Sequence, residues 1–150
     1  MDGRFKLENQ LCFRLYTASR LITQAYHPLL STYGLTYPQY LVLLVLWEKD
    51  AQPVNDIAKR LLLETNTVTP LLKRMEADGV VTRTQGIKDA RQTIVKLTAK
   101  GRGLQEKLLD VPEAVGSAVL CESITPETVP GLFTMLDDIS RQLNDNHQNK

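Results

Sequence analysis

The sequence predicts a mainly α-helical fold with one small β-hairpin. Apolar residues recur at helical spacing at both ends of the chain, two short helices joined by a turn occupy the middle, and two β-rich segments follow them. The 150 residues match one ordinary domain, which at this length buries a core without disulfides. We therefore expect a single domain over residues 1–150, with a central lobe at about residues 36–107.

The first segment is predicted to be a long amphipathic helix. From Leu7 to Leu29, apolar residues recur at steps of three and four, which places them on one helical face. The helix is expected to end near Gly34, because glycine readily adopts the left-handed conformation of a helix C-cap. The last segment, from Thr125 onward, shows the same spacing at Val129, Leu132, Leu136, Ile139 and Leu143.

The narrow apolar stripes at the two termini need a partner surface. These segments, about residues 1–35 and 108–150, can pack on each other within one subunit, or the termini of two chains can interlock. We favour the second arrangement, because the middle of the chain suggests a protein that acts as a pair. The terminal segments are then dimerisation helices and the protein is a homodimer.

A second helix is predicted to begin near Thr36, where the sequence has the pattern of a capping box. Thr36 precedes Pro38, and Gln39 lies three residues after Thr36, so side chains can satisfy free N–H groups at the helix start. From Leu41 to Trp47 the helix is apolar nearly all round, which predicts that it is buried. Gln52-Pro53 is expected to break the chain.

The middle segment predicts a helix-turn-helix. Ile57 and Leu61 lie on a short apolar face, a polar turn is expected at residues 63–66, and a second helix runs to Gly79. Pro70 lies about one turn into that helix, so we expect the helix to start late or bend. In this motif the second helix enters the DNA major groove. The residues of this helix expected at the DNA are Thr65, Asn66, Thr67, Thr69, Pro70, Lys73 and Arg74.

A β-hairpin is predicted after the second helix, with strands at residues 80–83 and 93–97. A helix-turn-helix followed by such a hairpin is a winged helix, and a wing arginine can enter a narrow minor groove. Asp89 is expected to hold Arg91 by a charge-assisted hydrogen bond. The wing residues assigned to the DNA site are Arg83, Lys88, Asp89 and Arg91. An ordinary surface turn is the alternative for this hairpin.

The net charge of +1 conceals an uneven distribution. Residues 54–107 carry eleven basic and six acidic side chains, whereas residues 108–150 carry two basic and seven acidic. The basic block coincides with the predicted helix-turn-helix and wing, as binding to a polyanion requires. Double-stranded DNA is therefore the expected partner, although a charge block alone is often only a solvated face.

Composition excludes several other classes of protein. The longest apolar stretch, Tyr40 to Trp47, has eight residues, far short of a membrane span. The first residues lack the apolar core of a signal peptide. Cys12 and Cys121 are too few for a disulfide scaffold and lack the spacing of metal ligands. We expect a cytoplasmic protein that does not contact membranes and has neither metal nor cofactor.

Several segments resemble the MarR family of dimeric winged-helix regulators. Asp89-Ala-Arg91, followed by Val95-Lys-Leu-Thr98 and Gly101, resembles the wing signature of that family. Segments 7–13, 35–41 and 67–76 are similar to its organic-hydroperoxide-sensing OhrR branch, and the resemblance covers about residues 7 to 143. It implies a repressor that leaves its operator DNA when a lipid or organic hydroperoxide oxidises a sensing cysteine.

The resemblance also implies roles for individual residues. It makes Cys12 the sensing cysteine and Cys121 its resolving partner, with an intersubunit disulfide formed through a sulfenic acid, as in two-cysteine members. Tyr26 and Tyr37 match positions that donate hydrogen bonds to the thiolate across the dimer, and Tyr16 matches a neighbouring tyrosine.

The residues alone leave these assignments open. Cys12 can be an inert small hydrophobic residue, and the three tyrosines can be ordinary core aromatics with a polar tip at the surface. Cys121 can be a bystander, in which case small thiols cap the oxidised Cys12. Disulfide formation requires a close approach of the two sulfurs, which a sequence does not show.

Other functions remain alternatives. A MarR-type repressor gated by a small phenolic ligand would leave Cys12 incidental. A thiol peroxidase built around Cys12 is the alternative enzyme, but His27 and His147 are the only histidines and neither belongs to a defensible catalytic arrangement. A pure dimerisation module leaves the recognition helix and wing unexplained. We therefore expect a regulator and not an enzyme.

Overall fold

The computed structural model describes residues 2–148, which comprise seven α-helices and a three-stranded antiparallel sheet. The helices are α1 (Leu11–Ser31), α2 (Tyr37–Glu48), α3 (Val54–Arg60), α4 (Thr65–Ala77), α5 (Ala99–Lys107), α6 (Val111–Val119) and α7 (Val129–Gln148). The strands are β1 (Gln52–Pro53), β2 (Val81–Gln85) and β3 (Thr93–Leu97). The prediction of a mainly α-helical winged helix-turn-helix is confirmed. Within residues 2–148, no helix has the length and apolarity needed to cross a membrane.

The chain divides into two compact units, residues 1–111 and residues 112–150. The first unit contains the helix-turn-helix and the wing, together with α1 and α2. The second contains most of α6 and all of α7, and it is described separately below.

The first helix begins later than its apolar spacing predicts. Two short 3₁₀ turns, Gly3–Phe5 and Leu7–Asn9, precede α1, which starts at Leu11. The Gln10 side-chain amide donates to the carbonyl of Arg4 at 2.7 Å, so polar contacts hold this segment outside the helix. The other end is as expected, because Gly34 has a φ of +69° and closes the C-terminal turn.

Helix α2 forms the centre of the core. The Thr36 N–H donates to Oε1 of Gln39 at 3.0 Å, as the expected capping box requires. Val42 and Leu43 are fully excluded from solvent, and Leu46 is nearly so. Since residues on opposite sides of this helix are buried, its all-round apolar sequence is explained.

The helix-turn-helix is present, with two differences from the expected pattern. The turn falls before Thr65, so α4 begins earlier than the predicted turn at residues 63–66 allows. Helix α4 begins at Thr65 and continues through Pro70 to Ala77, so the expected late start is wrong, and the alternative of a bend stays a prediction. Thr69 Oγ1 donates to the carbonyl of Thr65 at 2.8 Å in the turn that precedes the proline.

The sheet has the order β1–β3–β2, so β3 is its central strand. The hairpin pairs Val81 with Leu97 and Gln85 with Thr93. The predicted chain break at Gln52-Pro53 is instead a two-residue strand paired with Ile94 and Val95 of β3. Sequence periodicity does not detect this strand, because two residues are too few to show an alternation.

Helix α5 packs unusually closely against the start of β2, and glycine makes this possible. A Cβ atom on Gly101 would overlap the carbonyl oxygen of Val80, closer than two such atoms can approach. The Gly101 carbonyl accepts a hydrogen bond from Nε1 of Trp47 at 3.0 Å. Thr98 Oγ1 donates to the carbonyl of Gly79 at 2.6 Å. We call this meeting point of α2, α4, the sheet and α5 the Gly101 junction.

The second unit is mainly the long helix α7. Its start is fixed by Thr128, whose Oγ1 donates to the Ser123 carbonyl at 2.9 Å and accepts from the Thr125 N–H at 2.8 Å. From Phe133 to Leu143 every residue of α7 is exposed, including Leu136, Ile139 and Leu143 of the predicted apolar stripe, whereas Val129 and Leu132 are half-buried. These three side chains are therefore an apolar surface that the second unit leaves uncovered.

The Gly101 junction predicts opposite effects for two substitutions in α5. Gly101→Ala should lower the free energy of unfolding by about 2 kcal/mol or more, because the new methyl group overlaps the Val80 backbone. Gly103→Ala should raise it by about 0.5–1 kcal/mol, because a Cβ there meets no atom within 4 Å and alanine has the better helix propensity. Urea denaturation of both variants measures the difference. Equal free energies of unfolding for the two variants would contradict the close contact at Gly101.

Candidate nucleic-acid interface and cysteine sites

The outer face of α4 presents polar and basic side chains. Val68 and Leu72 on the opposite face are fully buried, and Met75 is nearly so, which fixes the orientation of the helix. The structure brings the sequence-predicted residues together on one surface. Six are exposed and Thr69 is half-buried: Thr65, Asn66, Thr67, Thr69, Pro70, Lys73 and Arg74.

A polar groove of about 170 Å³ separates the start of α4 from the wing. Its polar lining includes Asn55, Thr65, Arg91 and Gln92. Thr65 Oγ1 donates to Oδ1 of Asn55 at 3.2 Å, so this side chain of α3 helps to position the first turn of α4. Sequence reasoning missed Asn55, and its place in the first helix of a helix-turn-helix is the signal that could have found it.

Arg83 is paired within the subunit, and its direct contact with DNA stays a prediction. Its Nε and terminal nitrogen donate to Oε2 of Glu76 at 3.0 and 2.8 Å, and its backbone N–H donates to Oε1 at 3.0 Å. The Arg83 side chain is only 22% exposed. It therefore positions β2 against α4, and its hydrogen bonds hold the pKa of the Glu76 carboxyl below its ordinary value.

The wing loop holds a basic side chain outward. The expected pairing is confirmed, because the N–H and Nε of Arg91 donate to Oδ1 of Asp89 at 3.0 and 3.1 Å. These bonds lower the pKa of Asp89 and keep it ionised. The Arg91 side chain is nevertheless 92% exposed, and Lys88 is exposed in the same loop. Both cations are accessible to a polyanion.

Cys12 is an exposed free thiol and the second residue of α1. Tyr16 lies one turn further along the helix and is also exposed. Tyr26 lies fourteen residues beyond Cys12 on the same helix, which corresponds to roughly 21 Å at the rise of an α-helix. Within one chain, the structure therefore does not bring Tyr26 to the cysteine.

Three tyrosines cluster at the far end of α1. The ring of Tyr26 lies 4.7 Å from that of Tyr37 and 5.7 Å from that of Tyr40, measured between centroids. Burial raises the pKa of all three phenols, which keeps their O–H groups available as donors. Tyr40 also contacts Trp47 edge-on at 6.2 Å. Sequence reasoning assigned Tyr40 to the buried apolar run and missed its place in this cluster.

Cys121 is the second free thiol, in the turn between α6 and α7 of the second unit. Its N–H donates to the Ile124 carbonyl at 3.0 Å, and the Ile124 N–H donates back at 3.2 Å. The side chain is exposed, so it is accessible to a reacting partner. Among residues 2–148, no group of three or more His, Cys, Asp or Glu side chains is placed to hold a metal ion.

Comparison with known proteins identifies the family. The model of the "Transcriptional regulator SarA/Rot" family matches residues 24–108. The organic hydroperoxide resistance transcriptional regulator of Bacillus subtilis is 40% identical over 146 residues, which is 95% of this chain and 99% of the relative. The chain belongs to the MarR family of winged-helix transcriptional regulators. The HTH-type regulator TtmR of Methylorubrum extorquens is 43% identical over 97% of this chain and 72% of its own.

Solved structures agree with this membership of the MarR family. Reduced AbfR bound to DNA has a TM-score of 0.78 and 40% identity, covering 95% of this chain and 97% of AbfR. AbfR with a formed disulfide has a TM-score of 0.64 and 41% identity, with coverage of 95% and 94%. Because such relatives match nearly the whole chain, this MarR-family member is a DNA-binding regulator and not an enzyme.

The Glu76–Arg83 pair predicts a specific pH dependence. The folded-state pKa of Glu76 is depressed below its ordinary value of 4.5, so its stabilisation is present above that value and is lost as the pH falls through the folded pKa. As the pH falls from about 5 to about 2, the melting temperature of Glu76→Gln should therefore decrease less than that of wild type.

Glu106→Gln provides the matched control, since Glu106 is an exposed carboxylate of α5 without an ion-pair partner among the described residues. The melting temperature of this control should decrease with falling pH as much as that of wild type. If the melting temperatures of Glu76→Gln and wild type decrease equally with falling pH, the Glu76–Arg83 pair does not stabilise the fold.

Proposed function

We propose that the protein is a cytoplasmic redox-sensing repressor, which binds operator DNA as a homodimer and releases it when an organic hydroperoxide oxidises Cys12. The observation that carries the proposal is an exposed Cys12 at the start of α1, in a chain 40% identical to an organic hydroperoxide resistance regulator. The basic helix-turn-helix and wing supply the surface for DNA. Solved structures show the relative AbfR on DNA both when reduced and when overoxidised, and a further structure shows it with a formed disulfide. The proposal therefore connects release with the disulfide and not with oxidation of the cysteine alone.

In the proposed complex, α4 lies in the major groove and the wing lies at the neighbouring minor groove. The hydroxyl and amide groups of Thr65, Asn66 and Thr67 are exposed in the first turn, from which short side chains reach base edges and phosphates. Lys73 and Arg74 are exposed further along the helix and supply cations for phosphate oxygens. Two such helices in a dimer contact major grooves about 34 Å apart.

Uncovered apolar side chains support the homodimer. Leu11 is 62% exposed, and Phe13 and Leu21 are also exposed on α1. On α7, Phe133 and Leu143 are exposed as well. Since large exposed apolar surfaces mark interaction sites, we assign residues 1–35 and 108–150 to dimerisation and residues 36–107 to DNA binding.

The sensing site in this proposal is built from two chains. Roughly 21 Å of helix separates Cys12 from Tyr26 in one subunit, and the ring of Tyr37 contacts that of Tyr26. In this proposal, these phenols therefore donate hydrogen bonds to the Cys12 thiolate only from the partner subunit. Tyr16 lies one turn away from Cys12 on the same helix.

The proposed chemistry has two steps. The Cys12 thiolate attacks the terminal oxygen of the hydroperoxide, the O–O bond breaks, and an alcohol leaves after protonation, which produces a sulfenic acid. The thiol of Cys121 from the other subunit then attacks this sulfur, and water leaves as the disulfide forms. The resulting change at the dimer surface moves the two α4 helices out of register with successive major grooves.

The sensing role predicts the behaviour of Cys12→Ser. Cumene hydroperoxide should lower the DNA affinity of the wild type by at least about tenfold, within the usual range of coupling between two sites. Cys12→Ser should retain its affinity, because serine forms no sulfenic acid. Fluorescence anisotropy with labelled operator DNA measures both, and equal release by the two proteins would disprove sensing by Cys12.

The proposed bridge predicts a covalent dimer. Oxidised wild type should migrate as a dimer in non-reducing electrophoresis, and reductant should restore the monomer band. Cys121→Ser should remain a monomer band after oxidation, because the resolving thiol is gone. A monomer band for oxidised wild type, with the mass of an added small thiol on Cys12, would show capping instead of a bridge.

The accessible cation of the wing predicts a salt effect. Arg91→Ala should bind DNA more weakly and should reduce the slope of log affinity against log salt concentration by about one. Arg91→Lys should keep most of that slope, because lysine preserves the positive charge. It loses only the planar guanidinium group that is hydrogen-bonded to Asp89. Anisotropy titrations at several salt concentrations test this, and an unchanged slope in Arg91→Ala would exclude Arg91 from the DNA contacts.

A further inference from the structure

The wing carries one apolar side chain that the fold leaves in water. Ile87 is fully exposed, with a relative accessibility of 102%, and it lies beside Lys88 in the loop between β2 and β3. A single exposed aliphatic residue is common on protein surfaces. The hydrogen bonds that close this loop and the cations beside Ile87 indicate that this side chain has a binding role.

The wing loop is closed by its own hydrogen bonds. The Gly86 N–H donates to the Gln92 carbonyl at 2.8 Å, and the Gln92 N–H donates to the Asp89 carbonyl at 3.1 Å. The Gln85 amide donates to the Ala90 carbonyl at 2.8 Å. A Cβ on Gly86 would lie 2.5 Å from the Asp89 carbonyl oxygen, so the loop interior has no room for a side chain. Ile87 therefore projects from a preformed loop.

Two cations accompany this apolar side chain. Lys88 and Arg91 are exposed in the same loop, and Asp89 is occupied by its bonds to Arg91. An apolar group flanked by cations matches the DNA minor groove, which has phosphates along both edges and, at A·T pairs, a floor without a projecting amino group. At G·C pairs the guanine amino group projects from that floor as a donor.

We propose that Ile87 enters the DNA minor groove and favours A·T pairs where the wing contacts the operator. The inference rests on the proposed DNA binding and extends it to a residue that reads sequence. At A·T pairs Ile87 has room to contact the groove floor. At G·C pairs the guanine amino group projects into the space of this side chain and would also lose its hydrogen bond to water, which is unfavourable. Apolar side chains of other proteins also enter the minor groove, where they insert as wedges between base steps.

Substitution of Ile87 separates an apolar contact from an electrostatic one. The probe is a duplex that the reduced wild type selects from a random DNA library. Ile87→Ala should bind this duplex about fivefold to tenfold more weakly, because most of the buried apolar surface is lost. The salt slope should be unchanged, since no phosphate contact is removed, whereas Arg91→Ala should lower it. The melting temperature of free Ile87→Ala should equal that of wild type.

A modified base tests the groove itself. Hydroxyl-radical footprinting locates the base pairs that the wing covers, and 2,6-diaminopurine then replaces adenine there. This base adds a minor-groove amino group and leaves the major-groove edge of adenine unchanged. The replacement should weaken wild type by about tenfold, the low end of what one base contact contributes. It should weaken Ile87→Ala by much less.

The outcomes distinguish this inference from the proposed function. If wild type selects DNA but Ile87→Ala has the same affinity and the same response to diaminopurine, the role of Ile87 is wrong and the DNA-binding proposal stands. A lower affinity of Ile87→Ala with a reduced salt slope also overturns the apolar contact. If wild type selects no duplex, the proposed function and this inference fail together.

Discussion

The close contact between Gly101 of α5 and Val80 is the constraint on which the DNA-binding surface depends. Val80 lies between the end of α4 and the start of β2, so its position sets the relation of the recognition helix to the wing. The Trp47 side chain connects the same glycine to α2, the buried helix of the core. The Glu76–Arg83 hydrogen bonds add a second connection between α4 and β2. These contacts therefore hold helix and wing together in one surface.

The same junction lies at one end of a row of aromatic rings. Tyr37 and Tyr26 stand at the other end, Tyr40 contacts Tyr26, and Trp47 contacts Tyr40 and donates to the Gly101 carbonyl. In the proposed mechanism, Tyr26 and Tyr37 donate hydrogen bonds to the thiolate of the partner subunit. They are connected through Tyr40 to Trp47, whose hydrogen bond to Gly101 supports the wing. Under that proposal, oxidation at Cys12 acts on side chains that lead by direct contacts to the Gly101 junction.

The sequence predicts features that depend on neighbouring residues and misses those that depend on distant ones. The capping box at Thr36 and the Asp89–Arg91 pair each involve residues two or three positions apart, and both are present. Strand β1 exists only through its pairing with β3, more than forty residues later. The engagement of Arg83 by Glu76 likewise requires α4 and β2 to pack, so charge and exposure patterns could not reveal it.

The central claim is that each sensing site combines Cys12 of one subunit with the tyrosines of the other. Mixed dimers of a Cys12→Ser chain and a Tyr26→Phe/Tyr37→Phe chain, purified through two different affinity tags, test it directly. Such a dimer has one intact site only if the site spans the interface. We predict that half of the wild-type amount of thiol reacts with hydroperoxide, at the wild-type rate. Reaction at the slower rate of the tyrosine variant would contradict a shared site.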